Sequence, residues 1–364
     1  MARIDMQGIA HSYIPKPKQE ADYAVKRLDL NWENGGAYAL LGPSGCGKTT
    51  LLNIISGILD PSEGEILFDN KKVNGLHTRE RNIAQVFQFP VIYDTMTVYD
   101  NLAFPLRNRK VPEQRVKIRV QEIAEILDLT SDLGKRASGL NADIKQIISL
   151  GRGLVREDVS AILFDEPLTV IDPHVKWLIR RQLKQIHEQL DLTMIYVTHD
   201  QLEALTFADK VNVMLDGAVI QQGTPEDLFE APAHTYVGFF IGSPGMNILP
   251  CTIEHGHALV EGQKIKIPAA ISKTGAAAQG SLKLGIRPEF CDITSSSENG
   301  GVPVRVKKVE SLGNYHIVTA KIGEVIIKVK VPEKAQINPD SDNHVIFSQD
   351  HMILYENEKA LNLQ

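Results

Sequence analysis

Residues 42–50 read Gly-Pro-Ser-Gly-Cys-Gly-Lys-Thr-Thr, which fits the phosphate-binding pattern G-x-x-x-x-G-K-[ST]. The glycines let the backbone curl, so that successive N–H groups converge on a polyphosphate with no Cβ in the way. Lys48 is expected to reach the β- and γ-phosphates, and the Thr49 hydroxyl to complete the ligand shell of a Mg²⁺ ion. The candidate nucleotide ligands are Gly42, Pro43, Ser44, Gly45, Cys46, Gly47, Lys48, Thr49 and Thr50.

The chain on either side of this loop has the pattern that such a loop requires. Residues 37–41 form an apolar run typical of a short buried strand, and residues 50–58 continue as a helix. The N-terminus of that helix would face the phosphates, where its N–H groups favour negative charge. A glycine-rich loop can match the pattern by chance, but the strand before it and the helix after it favour nucleotide binding.

Composition narrows the class of protein. A length of 364 residues is enough for two domains, and a net charge of −6 gives no support to nucleic-acid binding. Cys46, Cys251 and Cys291 are widely spaced and lack metal-site spacing, which favours reduced thiols in the cytosol. No apolar run approaches the length of a membrane span, and no secretory signal is evident. Any membrane role is therefore expected to come through a partner.

Two domains are predicted from the change of pattern along the chain. Strand-like and helical runs alternate up to about residue 240, which predicts an α/β domain with a parallel sheet. Turn residues cluster at 242–245, so we place one domain at residues 1–240 and a second at 241–364. Short strand-like runs predict a small barrel or sandwich in the second domain. The helix candidates are 115–127 and 172–190, and the strand candidates are 160–164, 193–198, 263–267, 282–286, 302–309, 316–322 and 325–331.

An apolar strand candidate ends in two acids, Asp165 and Glu166. A carboxylate at the strand end, such as Asp165, can hold Mg²⁺ through water. Glu166, one residue further on, could polarise an attacking water as a general base. The alternative is a strand that leads into a solvated acidic turn, which a phosphate loop in the same chain disfavours.

Two further polar residues follow apolar runs. His199 lies where a third group could reach the γ-phosphate, and Gln88 could contact Mg²⁺ or the nucleophilic water. The alternatives are a histidine that only supports the strand end and a surface glutamine without a role.

These motifs resemble the ATPase subunit of ATP-binding-cassette (ABC) transporters, and the likeness covers essentially the whole chain. Residues 42–50 resemble the Walker A loop, Gln88 the Q-loop glutamine and His199 the switch histidine. Asp165 and Glu166 resemble the end of the Walker B strand. Asp172 resembles the D-loop aspartate, and Tyr13 the aromatic residue that stacks on adenine; residues 14–24 form a longer loop than is usual after it.

The resemblance implies an α/β P-loop NTPase fold, with an ABC ATPase domain that includes a helical subdomain at about residues 89–157. It also implies ATP and Mg²⁺ as cofactors, with Thr49, Gln88 and Asp165 at the metal. Residues 238–244 and 285–289 are similar to the appended domain of carbohydrate-importer ATPases of the maltose and glycerol-phosphate kind. A C-terminal OB-like, TOBE-type all-β regulatory domain is therefore expected. The expected transported substrate is a carbohydrate or a small polyol, such as glycerol or a glycerol derivative.

The implied partners are two membrane permease subunits and, indirectly, a periplasmic or extracellular solute-binding protein. Such a subunit would lie at the cytoplasmic face of the membrane. No nucleic acid is expected as a partner, which disfavours a cassette protein acting on DNA or ribosomes. A metabolic P-loop kinase would not explain Asp172, His199 and the β tail.

One part departs from the family pattern. The family signature is Leu-Ser-Gly-Gly-Gln, and the ungapped register places residues 140–144, Leu-Asn-Ala-Asp-Ile, at that position. In the family, the signature caps the γ-phosphate of ATP held by the other subunit. Asn141 could partly replace the serine hydroxyl, but Ala142 and Asp143 add side chains where the backbone must approach closely.

This departure predicts that the two ATP sites of a subunit pair differ in their rates of hydrolysis. An ionised Asp143 about 5 Å from a phosphate would repel it by about 3 kcal/mol per unit charge at an effective dielectric near 20. A lost charge-assisted hydrogen bond would cost about 1.5–3 kcal/mol more. We therefore hypothesise that the chain pairs with a second ATPase, a paralogue with an intact signature. Two alternatives are that Asp143 points away from the nucleotide, and that the chain is a structural subunit that binds ATP but hydrolyses it weakly.

Overall fold

The computed structural model describes residues 2–190, 192–295, 300–335, 337–339 and 341–361. These residues form two units that divide between Pro225 and Glu226. The first unit has a hydrophobic core that includes residues from Ala2 to Met214, and the second has its own core between Leu249 and Leu354.

The first unit alternates strands and helices. Its strands are β1 (Ile4–His11), β2 (Val25–Trp32), β3 (Ala37–Leu41), β4 (Glu63–Phe68), β5 (Lys71–Lys72), β6 (Ile83–Val86), β7 (Ala161–Asp165), β8 (Met194–Thr198), β9 (Lys210–Leu215) and β10 (Ala218–Gly223). Its helices are α1 (Lys48–Ser56), α2 (Thr78–Arg81), α3 (Val98–Asn108), α4 (Glu113–Ile126), α5 (Ala142–Leu154), α6 (Pro173–Leu190) and α7 (Gln201–Phe207).

A mostly parallel sheet forms the centre of the first unit. Its strand order is β10-β9-β3-β8-β7-β6, and the pairs from β9 to β6 are parallel, whereas β10 pairs with β9 in the antiparallel sense. β3 and β8 are buried along their whole length, as expected for strands that are covered on both faces. Because parallel neighbours need a crossover, the chain passes through helices between them.

A second, antiparallel sheet packs against the same core. Its order is β2-β1-β4-β5. One hydrophobic cluster joins Ile9 and Trp32 of this sheet to Leu52 of α1 and to Leu163 and Ile195 of the parallel sheet. α1 is therefore fixed by burial of one face, and its N-terminus is held at the end of β3.

Helices α3, α4 and α5 pack against one another. In α4 the side chains of Val116, Val120 and Ile123 are fully buried, which is the apolar face that the spacing of residues 115–127 predicts. α5 also packs on β6, so this helical group is attached to the edge of the parallel sheet.

The second unit is built mainly from antiparallel strands. Its sheets have the orders β13-β12-β11-β14-β20-β21 and β15-β19-β16-β17-β18. The strands are β11 (Asn247–Glu254), β12 (His257–Val260), β13 (Gln263–Lys266), β14 (Leu282–Ile286), β15 (Cys291–Thr294), β16 (Val302–Ser311), β17 (Tyr315–Ile322), β18 (Val325–Pro332), β19 (Asn343–Phe347), β20 (Ile353–Glu356) and β21 (Lys359–Ala360). The helices are α8 (Pro225–Glu230), which spans the division between the units, α9 (Thr235–Phe240) and α10 (Ala269–Ala277).

The predicted fold class is confirmed, and every helix and strand candidate coincides with an observed element to within two residues at each end. Several features go beyond the prediction. The antiparallel sheet of β1, β2, β4 and β5 has no counterpart in it. α10 interrupts a region predicted as strands, because its alanine-rich sequence favours a helix while only Ile271 and Gly275 are buried, too few for a periodic pattern. Eight further strands match none of the strand candidates: β9, β10, β11, β12, β15, β19, β20 and β21.

Arg287, directly after β14, ties α8 and α9 to the end of that strand. Its side chain is almost completely buried, and its nitrogens donate to the carbonyl oxygens of Phe229 at 2.6 Å, Leu228 at 3.3 Å and Ile241 at 2.5 Å. The guanidinium also lies 3.9 Å from the centre of the Phe229 ring. Burial lowers the pKa of Arg287 to about 10, so the group remains charged at neutral pH.

We expect Arg287→Met to lower the free energy of unfolding of the second unit by about 2–4 kcal/mol, because several buried carbonyl groups would lose their donor. Urea unfolding followed by circular dichroism, with the transition of the second unit fitted separately, measures this change. Arg305→Met is the control, since Arg305 is exposed on β16 and its loss should change stability by less than about 0.5 kcal/mol. Equal stability of the two variants would contradict the role of Arg287.

Candidate active site

The parallel strands end together at one edge of the sheet. β3 and β8 end opposite each other, at Leu41 and Thr198. β7 ends opposite Val197, and β6 ends opposite Phe164. The residues that follow leave the sheet side by side, in the place where open α/β sheets bind ligands. They are Gly42, Phe87, Glu166 and His199.

The loop from Gly42 to Gly47 needs glycine at both ends. Gly47 has a φ of 99°, in the left-handed region, and a Cβ on it would lie 2.3 Å from the carbonyl oxygen of Ala24. A Cβ on Gly42 would lie 2.3 Å from the carbonyl oxygen of Met214. Neither neighbour is a movable side chain, so the close approach of these backbones requires the two glycines.

The side chain of Lys48 lies inside the phosphate loop and stabilises its curled backbone. Its side chain is buried, and Nζ donates to the carbonyl oxygens of Gly42 and Pro43, each at 2.9 Å. The ammonium also lies 3.9 Å from Sγ of Cys46. Burial raises the pKa of the Cys46 thiol, so the thiol stays neutral beside the lysine. The arrangement places a fixed positive charge at the N-terminus of α1, which suits an anion.

Thr49 and Asp165 meet across the loop. The Thr49 hydroxyl donates to Oδ1 of Asp165 at 3.2 Å. Burial raises the pKa of the Asp165 carboxyl, while the Thr49 hydrogen bond and the Lys48 charge act in the opposite direction. This hydroxyl and this partly buried carboxylate are both hard oxygen donors.

Glu166 and His199 form the second pair at this edge. Nδ1 of His199 lies 3.1 Å from Oε2 of Glu166, and Thr169 Oγ1 donates to the same oxygen at 3.3 Å. Glu166 has a φ of 46°, which is uncommon for a residue with a Cβ, and its N–H donates to the carbonyl oxygen of Val197 at 3.0 Å. The turned backbone directs the carboxylate towards His199 rather than along the strand.

Tyr13 lies beside the end of the phosphate loop. Its ring is 64% exposed, and its hydroxyl lies 3.2 Å from Oγ1 of Thr50. The ring also packs edge-on against His11, with 4.8 Å between the centroids. An exposed aromatic face next to a phosphate site is what stacking on a base requires; the stacking itself stays a prediction.

Gln88 is near this edge but is not joined to the other site residues. It is partly buried and follows β6 by two residues. Among the residues that the structure describes, Gln88 makes no hydrogen bond with Thr49 or Asp165. Its predicted contact with a metal ion or a water therefore stays a prediction.

Residues 141–143 form the start of α5, apart from the phosphate loop of the chain. Asn141 is the N-cap, and its Oδ1 accepts a hydrogen bond from the N–H of Ile144 at 2.9 Å. Ala142 is exposed. Oδ1 of Asp143 accepts a hydrogen bond from the N–H of Asp172 at 3.3 Å, so this carboxylate lies against the backbone of the residue that is predicted as the D-loop aspartate of the same chain.

Two buried polar residues at the site went unnoticed in the sequence. Glu203 is 3% exposed, and Oε2 accepts hydrogen bonds from Tyr196 at 3.2 Å and from Thr198 at 2.8 Å, so it braces the end of β8 before His199. Gln146 is fully buried on α5. The sequence signal for such a residue is a polar side chain on an otherwise apolar helix face. This signal is weak, because polar side chains are also common at the exposed edge of such a face.

Three family models match the chain. The model described as "ABC transporter" matches residues 25–169, "MalK OB fold domain" matches residues 242–291, and "TOBE domain" matches residues 284–354. The first range contains the phosphate loop, Asp165 and Glu166. The other two fall within the second unit.

Known proteins agree with these models. The chain is 37% identical to an sn-glycerol-3-phosphate import ATP-binding protein UgpC of Bordetella avium over 307 residues, which is 84% of this chain and 83% of the relative. It is 37% identical to the trehalose/maltose import ATP-binding protein MalK of Thermococcus litoralis over 349 residues, 92% of this chain and 93% of the relative.

A solved structure, cbiO1 from Clostridium perfringens, part of the ABC transporter complex cbiONQ, matches with a TM-score of 0.57 at 29% identity. It covers 63% of this chain and 90% of that chain. The site geometry, the family models and the near full-length relatives lead to one conclusion: the chain belongs to the ATP-binding subunits of the ABC transporter family and is an ATPase.

Proposed function

We propose that this chain is the energy-coupling subunit of an importer for a carbohydrate, a small polyol or a glycerol derivative. The observation that carries the proposal is the cluster of Lys48, Thr49, Asp165, Glu166 and His199 at one sheet edge, in a chain that also has the OB and TOBE domains. The names of the similar proteins include glycerol-phosphate and trehalose/maltose import, which supports this substrate class.

In the proposed reaction, the loop and Lys48 bind the phosphates of ATP, and Tyr13 provides a face for the adenine. Glu166 is placed to take a proton from the attacking water, and His199, 3.1 Å from its carboxylate, holds that carboxylate in position. Binding of ATP would close two subunits and hydrolysis would reopen them, so that the motion reaches the permease.

The residues around Thr49 fit a Mg²⁺ ion. The Thr49 hydroxyl and the Asp165 carboxylate are hard oxygen donors 3.2 Å apart, and Asp165 is a carboxylate whose charged form is penalised by burial. The described residues contain no group of three or more His, Cys, Asp and Glu side chains that could hold a metal. This agrees with Mg²⁺, which is usually held by one or two protein oxygens together with phosphate and water. When bound, the ion would neutralise phosphate charge; Gln88 is proposed as a further ligand.

Lys48→Ala tests nucleotide binding. We expect the affinity for ATP to fall at least about tenfold, because a buried charge aimed at the phosphates is lost. Equilibrium binding of a fluorescent ATP analogue to the purified chain measures this. Lys71→Ala is the control, since Lys71 is exposed on β5, and unchanged affinity of Lys48→Ala would refute the site.

Glu166→Gln tests hydrolysis. We expect ATP turnover to fall by about 100-fold or more while ATP binding remains, because a general base contributes about 10²–10⁴-fold. Phosphate release by the assembled transporter measures turnover, and Glu188→Gln, an exposed change on α6, is the control. The alternative of a weakly hydrolysing structural subunit predicts instead that transport is indifferent to Glu166→Gln.

Two permease subunits are the proposed membrane partners. No helix in the described ranges combines the length and the apolar character that a membrane crossing needs. We propose that the chain attaches to the cytoplasmic face of the membrane through these permeases, with an extracellular or periplasmic solute-binding protein as an indirect partner.

We also propose residues 1–240 as the ATPase domain, with residues of about 89–157 as its helical subdomain, and residues 241–364 as the regulatory domain.

A basic cleft supports a docking surface for such a partner. The cleft has a volume of about 1180 Å³ and lies among α2, α3, α4 and the end of α5. We propose residues 89–99 as the segment that contacts the permease. The Arg152 guanidinium, in the cleft, lies 4.8 Å from the centre of the Tyr93 ring of this segment and 5.5 Å from that of Phe104. An acidic, amphipathic permease helix fits this charge. The basic lining residues are Arg79, Arg109, Lys110, Arg115, Arg119, Arg152 and Arg156, and the acidic ones are Glu157 and Asp158.

We propose that the altered signature makes the chain pair with a second, non-identical ATPase. Asn141 uses its side chain to cap its own helix, and Asp143 lies against its own Asp172. Neither residue is therefore free to reproduce the hydroxyl and bare backbone of Ser-Gly-Gly. The N–H of Asp172 donates to the Asp143 carboxylate and offsets part of its charge. This would reduce the repulsion of a phosphate that the sequence suggests and leave the lost capping as the main cost.

We expect the chain alone to hydrolyse ATP at least about tenfold more slowly than a mixture with an ABC ATPase that has an intact signature, because one lost charge-assisted hydrogen bond corresponds to about that factor. The control combines Asn141→Ser, Ala142→Gly, Asp143→Gly and Ile144→Gln, which should restore turnover to the chain alone. Equal turnover by the unmodified chain and by the mixture would refute the unequal pair.

A further inference from the structure

Gln146 is a polar side chain in an apolar place. It lies in the second turn of α5, is fully buried, and shares that helix with the buried Ile148 and Leu150. Nε2 donates to the carbonyl oxygen of Phe87 at 3.0 Å and to that of Pro167 at 2.8 Å. Both partners are acceptors, so the orientation of the amide is fixed by its surroundings.

The two carbonyl groups flank the residues proposed to act on the nucleotide. Phe87 directly precedes Gln88, and Pro167 directly follows Glu166. One side chain on α5 therefore joins the segment after β6 to the turn after β7. The same helix begins with Asn141 as its N-cap at the signature position.

The chemistry of this contact is specific. Pro167 has no N–H, so its carbonyl is the one backbone hydrogen-bonding group at that position. Glu166 beside it has a φ of 46°, and such backbone persists only where the surroundings hold it. Oε1 of Gln146 has no hydrogen-bond partner among the described residues. An amide with an unpaired oxygen costs stability in a core, so an apolar residue of the same shape would serve packing better.

Other side chains of α5 hold the rest of the segment after Gln88. Oγ of Ser149 accepts a hydrogen bond from the N–H of Val91 at 3.2 Å, and Nζ of Lys145 lies 2.9 Å from Oδ1 of Asp94. Together with Gln146, they attach this segment to α5 at successive points along one side of the helix. Movement of α5 would therefore move the segment that contains Gln88.

We propose that Gln146 is a positioning residue for ATP hydrolysis, which holds the backbone beside Gln88 and the backbone beside Glu166 to the signature helix. The inference rests on the roles proposed above for Gln88 and Glu166. Within the described ranges, Gln146 makes no hydrogen bond with the phosphate loop, which is held by Lys48 and two glycines. We therefore expect ATP affinity to be independent of this residue. Loss of the two donors lowers kcat and leaves the affinity for ATP in place.

The test is Gln146→Met, which keeps the length of the side chain and removes both donors. We expect kcat of the assembled transporter to fall about 10- to 100-fold, the scale of a displaced catalytic group, while the dissociation constant for ATP changes less than about twofold. Hydrogen–deuterium exchange of residues 87–94 and 166–169 should become faster in the isolated full-length chain. Gln146→Glu, which also lacks the amide donors when ionised, is the second variant if Gln146→Met does not fold.

Asn247→Leu is the matched control, because Asn247 is a buried amide in the second unit whose Nδ2 donates to the carbonyl oxygen of Lys328 at 2.9 Å. Its loss should lower stability without changing kcat or the exchange of residues 87–94. The inference is overturned if kcat of the Gln146 variants stays within twofold of the wild type, or if exchange in both segments is unchanged. Failure of the role proposed for Glu166 is read separately, from undiminished turnover of Glu166→Gln.

Discussion

The alignment of the parallel strands is the constraint on which the nucleotide site depends. The register of the sheet ends β3, β6, β7 and β8 at one edge. Each strand continues directly into a segment that carries a candidate site residue. A slip of one residue in any of these pairs would turn the side chains of that strand to the opposite face. The buried faces of the strands and the packed α1 keep the register, so the hydrophobic core fixes the distances between Thr49, Asp165, Glu166 and His199.

Different turns of the helix α5 make the contacts at its N-terminus and the contacts with the backbone near Gln88 and Glu166. Its first residues stand where the sequence register predicts the family signature, and their sequence departs from that pattern. Asn141 caps the helix, and Asp143 accepts a hydrogen bond from the N–H of Asp172. Its second and third turns hold the backbone around Gln88 and Glu166 through Gln146 and Ser149. On the roles proposed above, the residues of the chain's own nucleotide site are all present, while those that would serve a partner's site are altered.

Local sequence patterns predict the phosphate loop and the polar residues at the strand ends. Contacts between segments that are distant in the sequence cannot be predicted from such patterns. The phosphate loop is recognisable because glycine spacing, a strand and a helix occur within about 20 residues. The acids after β7 and the histidine after β8 follow apolar runs, so they could be placed at a strand end. The bonds of Gln146 to residues 59 and 21 positions away depend on tertiary packing, as does the contact of Asp143 with Asp172. The antiparallel sheet and α10 lie outside the prediction for different reasons. β1 is buried at nearly every position, so it lacks the alternation of a half-buried strand. The alanine-rich α10 buries only two residues, so it lacks a helical period.

The arrangement around Arg287 has a mechanical consequence for the second unit. The guanidinium donates hydrogen bonds to carbonyl oxygens at the C-terminal ends of α8 and α9 and stacks on Phe229. Within the described residues, no carboxylate lies at hydrogen-bond distance from it. A lysine could not reproduce the fan of donors, since its ammonium is a compact point charge. The two short helices are consequently fastened to the end of β14 through one side chain, so a displacement of that strand would pull on both helices at once.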